Sequence, residues 1–126
     1  MKEPVWVPKD FVFLLHDQLV VEFGGSFGIR DNTLLESALA RPKNLFYYES
    51  PDLFMLAAAY ISGVIRNHPF IDGNKRTGFM IGYAFLRRNG KELSVPEPET
   101  TAIILDLAAR NINEEELASW LRENCM

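Results

Sequence analysis

The sequence LFMLAAAYISGVIRNHPFIDGNKRTGFMIGYAFLRRNG occupies residues 53–90 and contains two apolar stretches separated by a polar one. In the first stretch, apolar residues recur at spacings of three and four, and further apolar residues lie off that stripe. The second stretch, about residues 74–89, is also apolar on nearly all sides and ends before Gly90. A helix that is apolar all round is buried. The segment therefore predicts two central, antiparallel helices, the first beginning at Ser50 or Asp52 and ending near Asn67.

Glycine and proline separate the other helical patterns along the chain. Asp31 or Asn32 can cap the predicted helix at about residues 33–41, and Pro42 is expected to stop it. Residues 91–95 are predicted as a short strand. With no repeat or linker in the 126 residues, we expect one all-α domain of about six helices spanning residues 1–126. Outside the central pair, the predicted helices cover about residues 8–23, 33–41, 99–109 and 114–123.

Residues 43–50 lack a helical period but carry Leu45, Phe46, Tyr47 and Tyr48. This segment is predicted to form an extended loop or a short β-hairpin rich in aromatic side chains.

Composition limits the functional classes. The net charge of −4 argues against broad nucleic-acid binding. The single cysteine, Cys125, cannot form an internal disulfide. The N-terminus lacks the apolar run of a signal peptide, and no stretch of about 18 apolar residues could span a membrane. We therefore expect a cytoplasmic protein that does not bind membranes.

Between the two central helices lies a polar loop, HPFIDGNKRT, which we define as residues 68–77. Gly73 allows a tight turn. The amides in the first turn of the following helix, the helix dipole and the cations Lys75 and Arg76 together form an anion site suited to phosphate. A carboxylate beside phosphates is repelled unless a divalent cation lies between them, and Mg²⁺ binds in this way. The imidazole can act as a general base. The simpler alternative is that Asp72 only caps the helix and His68 is a structural histidine.

The polar loop resembles the signature H-P-F-x-(D/E)-G-N-(G/K)-R of the Fic/Doc family. The flanks also resemble the Doc branch, in Leu15-His16-Asp17, in Arg30-Asp31, in residues 35–42 and in residues 86–90. The similarity extends over about residues 10–120.

This resemblance implies ATP and Mg²⁺ as cofactors. It implies that His68 takes a proton from a hydroxyl acceptor, that Asp72 holds Mg²⁺ and that Arg76 contacts phosphate as a further catalytic residue. Phe70 is expected to anchor the loop in the core. It implies that Gly73 and Asn74, with the following amides of Lys75 and Thr77, form the cradle for the phosphates of the cofactor. Arg66, one turn before the loop, is interpreted either as a further cofactor-binding residue that reaches phosphate or as a surface arginine.

The branch decides which group is transferred. Lys75 stands where adenylylating relatives have glycine, and Phe79 stands where they have a second arginine. The Doc branch shares the lysine, and there the terminal phosphate of ATP is transferred to a threonine of elongation factor Tu, which arrests translation. Gly73, however, matches the adenylylating pattern. AMP transfer is therefore the alternative, and a catalytically inactive partner-binding module is an alternative of another class.

The resemblance also implies partners. A Doc-type toxin is paired with a Phd-like antitoxin whose disordered tail folds onto the toxin, and nucleic acid would be contacted only through that antitoxin. Phe46, Tyr47 and Tyr48 are interpreted either as a flap that pairs with a protein substrate or as a lid on the hydrophobic core. His16, on the edge of an apolar stripe, is expected to be structural.

Overall fold

Six α-helices and no β-strand build the structure, which confirms the all-α class. The computed structural model describes residues 1–126. No helix combines the length and the apolar character that crossing a membrane requires. The predicted strand at residues 91–95 is wrong, because that segment makes only an isolated bridge between Leu93 and Cys125. The helices are α1 Lys9–Phe23, α2 Asn32–Glu49, α3 Leu53–Asn67, α4 Asn74–Arg88, α5 Glu97–Ala108 and α6 Glu114–Glu123.

Helix α3 forms the centre of the molecule. Every residue from Leu56 to Val64 is buried, and the helix packs against α2, α4 and α6. Asp52 caps it by accepting a hydrogen bond from the Met55 amide at 2.8 Å. The prediction of a central helix that begins after Asp52 and ends at Asn67 is confirmed.

Two glycines on α4 allow it to approach α3 closely. A Cβ atom built on Gly82 would lie 2.5 Å from Cγ1 of Ile61, and one on Gly78 would lie 3.3 Å from the Ile61 carbonyl oxygen. A side chain at either position would push the two helices apart. This contact fixes the distance between the helix ends that the polar loop connects.

Helix α2 continues seven residues beyond Pro42, so the predicted stop at this proline and the predicted loop or hairpin at residues 43–50 are both wrong. A proline inside a helix costs about 3 kcal/mol in an isolated chain. Here Pro42 is itself buried, and Leu45 and Phe46 pack against the core. Burial of these side chains offsets the local cost, which a proline-based rule does not take into account.

The N-terminal segment packs across the ends of α2 and α4. Trp6 stacks on Phe85 and meets the edge of Phe46. Its indole N–H and the Tyr47 hydroxyl both donate to one carboxylate oxygen of Glu3, at 2.7 and 2.8 Å. These hydrogen bonds hold the pKa of the Glu3 carboxyl below its usual range. Tyr47 is thus part of the packing that joins α2 to the N-terminal segment.

The close approach of α3 and α4 can be tested with Gly82→Ala. Crowding Ile61 should lower the free energy of unfolding by roughly 1–3 kcal/mol, because overpacking forces side chains or backbone to shift. Urea denaturation followed by circular dichroism would measure it. Gly63→Ala is the matched control, since a Cβ there would meet Ala38 at an ordinary 3.4 Å. Equal stability of the two variants would contradict the importance of this contact.

Candidate active site

The polar loop forms a cleft at the junction of α3 and α4. Helix α3 ends at Asn67, the backbone turns through residues 68–73, and α4 begins at Asn74. The cleft has a volume of about 240 Å³ and no apolar lining residue. Of the residues predicted for the site, the structure brings six together around this cleft: His68, Asp72, Gly73, Asn74, Lys75 and Arg76.

The loop is closed from inside by Asn74. Its side-chain oxygen accepts from the Phe70 amide and its side-chain nitrogen donates to the Phe70 carbonyl, both at 2.9 Å. Phe70 is fully buried and stacks on His16, with ring centroids 4.0 Å apart. The prediction that Phe70 anchors the loop in the core is confirmed. Asn74, which was expected to belong to the anion cradle, commits its side chain to the loop itself.

Three backbone amides at the start of α4 have no hydrogen-bond partner, those of Asn74, Lys75 and Arg76. The fourth expected donor, Thr77, gives its amide to the Gly73 carbonyl at 2.9 Å. The Thr77 side chain is fully buried and its hydroxyl is unpaired. Gly73 occupies the N-cap with a φ of +75°, a left-handed conformation that glycine adopts without strain. The helix end therefore offers three free amides to an anion, and Thr77 supports the loop from below.

Asp72 is exposed and forms no ion pair. Its Oδ1 accepts from the Gly73 amide at 2.9 Å and its Oδ2 from the Ser26 amide at 3.3 Å. The carboxylate does not cap α4, which has no side-chain cap, so the capping interpretation is wrong. No group of three or more acidic, histidine or cysteine side chains is clustered to hold a metal. A single carboxylate suits Mg²⁺ when phosphate oxygens supply other ligands.

Arg30 holds the end of α3 from outside. Its Nε donates to the His68 carbonyl at 2.7 Å and one of its terminal nitrogens to the Asn67 carbonyl at 2.9 Å. A cation is favourable at a helix C-terminus, where carbonyl groups are unpaired. His68 itself adopts a left-handed conformation, with φ +51°. The only signal for Arg30 in the sequence was its place in a flank that resembles the Doc branch.

His16 lies beneath the loop. It is only 2 % exposed, and its Nε2 lies 2.8 Å from the carbonyl oxygen of Asp72. Because a carbonyl only accepts, Nε2 carries the hydrogen. The expectation that His16 is structural is confirmed, and the residue it supports is the one proposed to hold the metal.

The glycine-rich loop, residues 24–28, lies directly against Asp72. A Cβ on Gly25 would be 2.8 Å from Asp72 Oδ2, and one on Gly28 would be 3.0 Å from the Ile71 side chain. The Ile71 amide also donates to the Gly28 carbonyl at 3.1 Å. In the sequence these glycines indicate only a connection between helices, because the residues they contact are more than 40 positions away along the chain.

Arg66 does not line the cleft of the polar loop. It lines a separate polar cleft of about 460 Å³ with Arg110 and Asn111, between the end of α3 and the α5–α6 connection. Its assignment to the nucleotide site has no geometric support.

The three aromatic residues interpreted as a substrate flap lie at the other end of the molecule. Phe46, Tyr47 and Tyr48 belong to the last turn of α2. The start of α2 meets the end of α3, where the Asn67 side chain donates to the Leu34 carbonyl at 2.9 Å. The 15 residues of α3 span about 22 Å. The aromatic residues are therefore roughly one helix length from the polar loop, and the flap interpretation has no geometric support at this cleft.

Removing the side chain that closes the loop should destabilise it. We expect Asn74→Ala to lower the free energy of unfolding by roughly 1–3 kcal/mol or more, because two buried backbone groups of Phe70 lose their partners. Hydrogen exchange of the Phe70 amide should accelerate as well. Asn111→Ala, at an exposed asparagine with only a 3.4 Å hydrogen bond, should change stability little. Unaltered exchange at Phe70 in Asn74→Ala would refute this account of the loop.

The chain is similar in sequence to known proteins. The sequence profile of the Fic/DOC family matches residues 6–86. The chain is 34 % identical over 105 residues to "Toxin Doc" of Mycolicibacterium smegmatis, covering 80 % of this chain and 81 % of that protein. It is also 34 % identical over 116 residues to "Protein kinase doc" of Escherichia phage P1, covering 91 % and 90 %. The chain that carries this polar loop belongs to the Fic/DOC family.

Proposed function

We propose that this chain is a Doc-type toxin that transfers the terminal phosphate of ATP to a hydroxyl of a translation factor, with elongation factor Tu as the expected target. The observation that carries the proposal is the cleft in which His68, Asp72 and Arg76 lie beside three free helix amides. The names of the two relatives, a toxin and a protein kinase, support it.

Each group in the cleft has a chemical role in this proposal. His68 takes the proton from the acceptor hydroxyl, whose oxygen attacks the terminal phosphorus of ATP. A new P–O bond forms, the bond to the bridging oxygen breaks, and ADP leaves. The free amides of α4 and the Arg76 guanidinium bind phosphate oxygens. Asp72 would hold Mg²⁺, which neutralises phosphate charge when bound.

Two positions favour phosphate transfer over AMP transfer. The exposed Lys75 lines the cleft where adenylylating relatives have glycine, so its side chain fills space that a phosphate would otherwise occupy. Phe79 packs against the hydrophobic core, where it cannot replace their second arginine as a phosphate clamp. The adenylylating alternative rests on Gly73. An inactive binding module would be expected to lose one or more of the ionisable groups that the cleft retains.

A toxin needs a partner that controls it. We propose a Phd-like antitoxin whose disordered tail folds as an amphipathic helix on this chain. Helix α1 is suited to form one side of the docking site for this tail, because the apolar side chains Leu14 and Val21 are exposed along it. With this partner and target we propose a cytoplasmic location, and DNA would be contacted only through the antitoxin.

The transferred group can be identified with ATP labelled at either the first or the terminal phosphate. Incubation with cell lysate should move label to protein from the terminal phosphate only, because Lys75 blocks the adenylylating pose. Mass spectrometry should show a gain of one phosphate on the modified protein. Label arriving from the first phosphate would instead assign the chain to the adenylylating enzymes. Lys75→Gly should weaken phosphate transfer.

Expression of the protein should arrest growth, and the arrest should depend on His68 and Asp72. Loss of a general base costs about 10²- to 10⁴-fold in rate, which should abolish toxicity in His68→Ala. Asp72→Ala should behave likewise, whereas Asp10→Ala, which removes an exposed carboxylate at the other end of α1, should arrest growth as wild type does. Full arrest by folded His68→Ala and Asp72→Ala proteins would exclude the catalytic assignment.

A further inference from the structure

Asp72 and Arg76 carry opposite charges in the same small cleft but form no ion pair. Two opposite charges about 4 Å apart attract each other by about 1 kcal/mol even in water. If the two side chains paired, the phosphate site would lose its guanidinium and the metal site its carboxylate. Contacts that each side chain makes elsewhere can account for their separation.

Each of the two charged groups has its own partner in a neighbouring segment. The Arg76 guanidinium lies over the ring of Phe23, 4.2 Å from the ring centroid. One oxygen of Asp72 accepts from the Ser26 amide at 3.3 Å. Both partners belong to residues 23–26, which end α1 and begin the connection to α2. One short segment thus contacts the two groups on which the proposed chemistry relies.

The fit of this segment against Asp72 requires glycine at one position. Gly25 has a φ of +111°, and a Cβ there would lie 2.8 Å from Asp72 Oδ2. Gly24 has a comparable φ of +88° but nothing within 4 Å of its would-be Cβ. Substitution of either glycine would therefore strain the backbone, whereas only a side chain at position 25 would collide with the Asp72 carboxylate.

We propose that residues 23–26 are a positioning segment that keeps Arg76 and Asp72 apart, with Phe23 holding the guanidinium ready for phosphate. This inference rests on the proposed function, because it assigns Phe23 a role through Arg76. Phe23 is half exposed, so its ring contributes more to the contact with the Arg76 guanidinium than to the hydrophobic core. Phe23 is a positioning residue and touches neither substrate nor reacting atoms.

Phe23→Leu removes the ring and keeps an apolar side chain. Cation–π attraction at an exposed site corresponds to a loss of about two- to fivefold in affinity. We expect ATP binding, measured by isothermal titration calorimetry, to weaken by this factor, with KM rising more than kcat falls. Phe23→Tyr keeps the ring and should restore wild-type affinity. Phe27→Leu is the matched control, because Phe27 is similarly exposed in the loop that follows α1 and has no cation over its ring.

A double-mutant cycle separates this inference from the proposed function. Arg76→Ala should weaken ATP binding, and adding Phe23→Leu to it should have no further effect. Wild-type affinity in Phe23→Leu, or an equal loss in Phe27→Leu, would overturn the positioning role while leaving the site intact. Wild-type affinity in Arg76→Ala would instead count against the proposed phosphate site.

Gly25→Ala tests the Asp72 side of the segment. Mg²⁺ titrated into the protein with a non-hydrolysable ATP analogue should bind more weakly in Gly25→Ala than in Gly24→Ala, since only the former displaces the carboxylate. Melting temperatures of the two variants would report the shared backbone strain. Equal Mg²⁺ affinity in the two variants would show that the segment does not position Asp72.

Discussion

Gly82 allows α4 to pack directly against Ile61, and only the six residues 68–73 connect the two closely packed helices. The chain must reverse within residues 68–73 and does so with left-handed conformations at His68 and Gly73. The Asn74 side chain then binds both backbone groups of the buried Phe70. Packing of the central pair thus determines the shape of the turn, and the turn determines which amides of α4 face outward.

The connection between α1 and α2 forms the other half of the site. The Arg30 and Asp31 amides both donate to the Pro69 carbonyl, at 2.7 and 3.0 Å, while the Arg30 side chain holds the end of α3. Phe23 and Ser26 contact the charged groups of the cleft. The polar loop is therefore held between a hydrophobic core below and a second loop beside it. A site that must keep its geometry needs support of this kind around the groups that meet the ligand.

The sequence predicted the central features well because they depend on local patterns. An apolar period over α3 and capping by Asp52 can be recognised within one segment, and the polar loop resembles a specific signature. The extension of α2 past Pro42 could not be predicted, because burial of Leu45 and Phe46 against distant parts of the chain outweighs the local effect of proline. The contacts of Arg30 and Gly25 likewise join residues about 40 positions apart, and no spacing rule within one segment indicates them.

Stability alone would favour a different polar loop. A side chain that capped α4 would contribute about 0.5–2 kcal/mol, yet the N-cap is Gly73 and the nearby Asp72 carboxylate bonds elsewhere. On the buried face of the loop, the Asn74 side chain is hydrogen bonded to both backbone groups of Phe70. The exposed face keeps three amides without a hydrogen-bond partner, and a carboxylate and a guanidinium without an ion pair. An ion pair between the Asp72 carboxylate and the Arg76 guanidinium would stabilise the folded chain. Their separation is understandable if a ligand that carries both phosphate and metal completes them, which is the chemistry expected of a nucleotide.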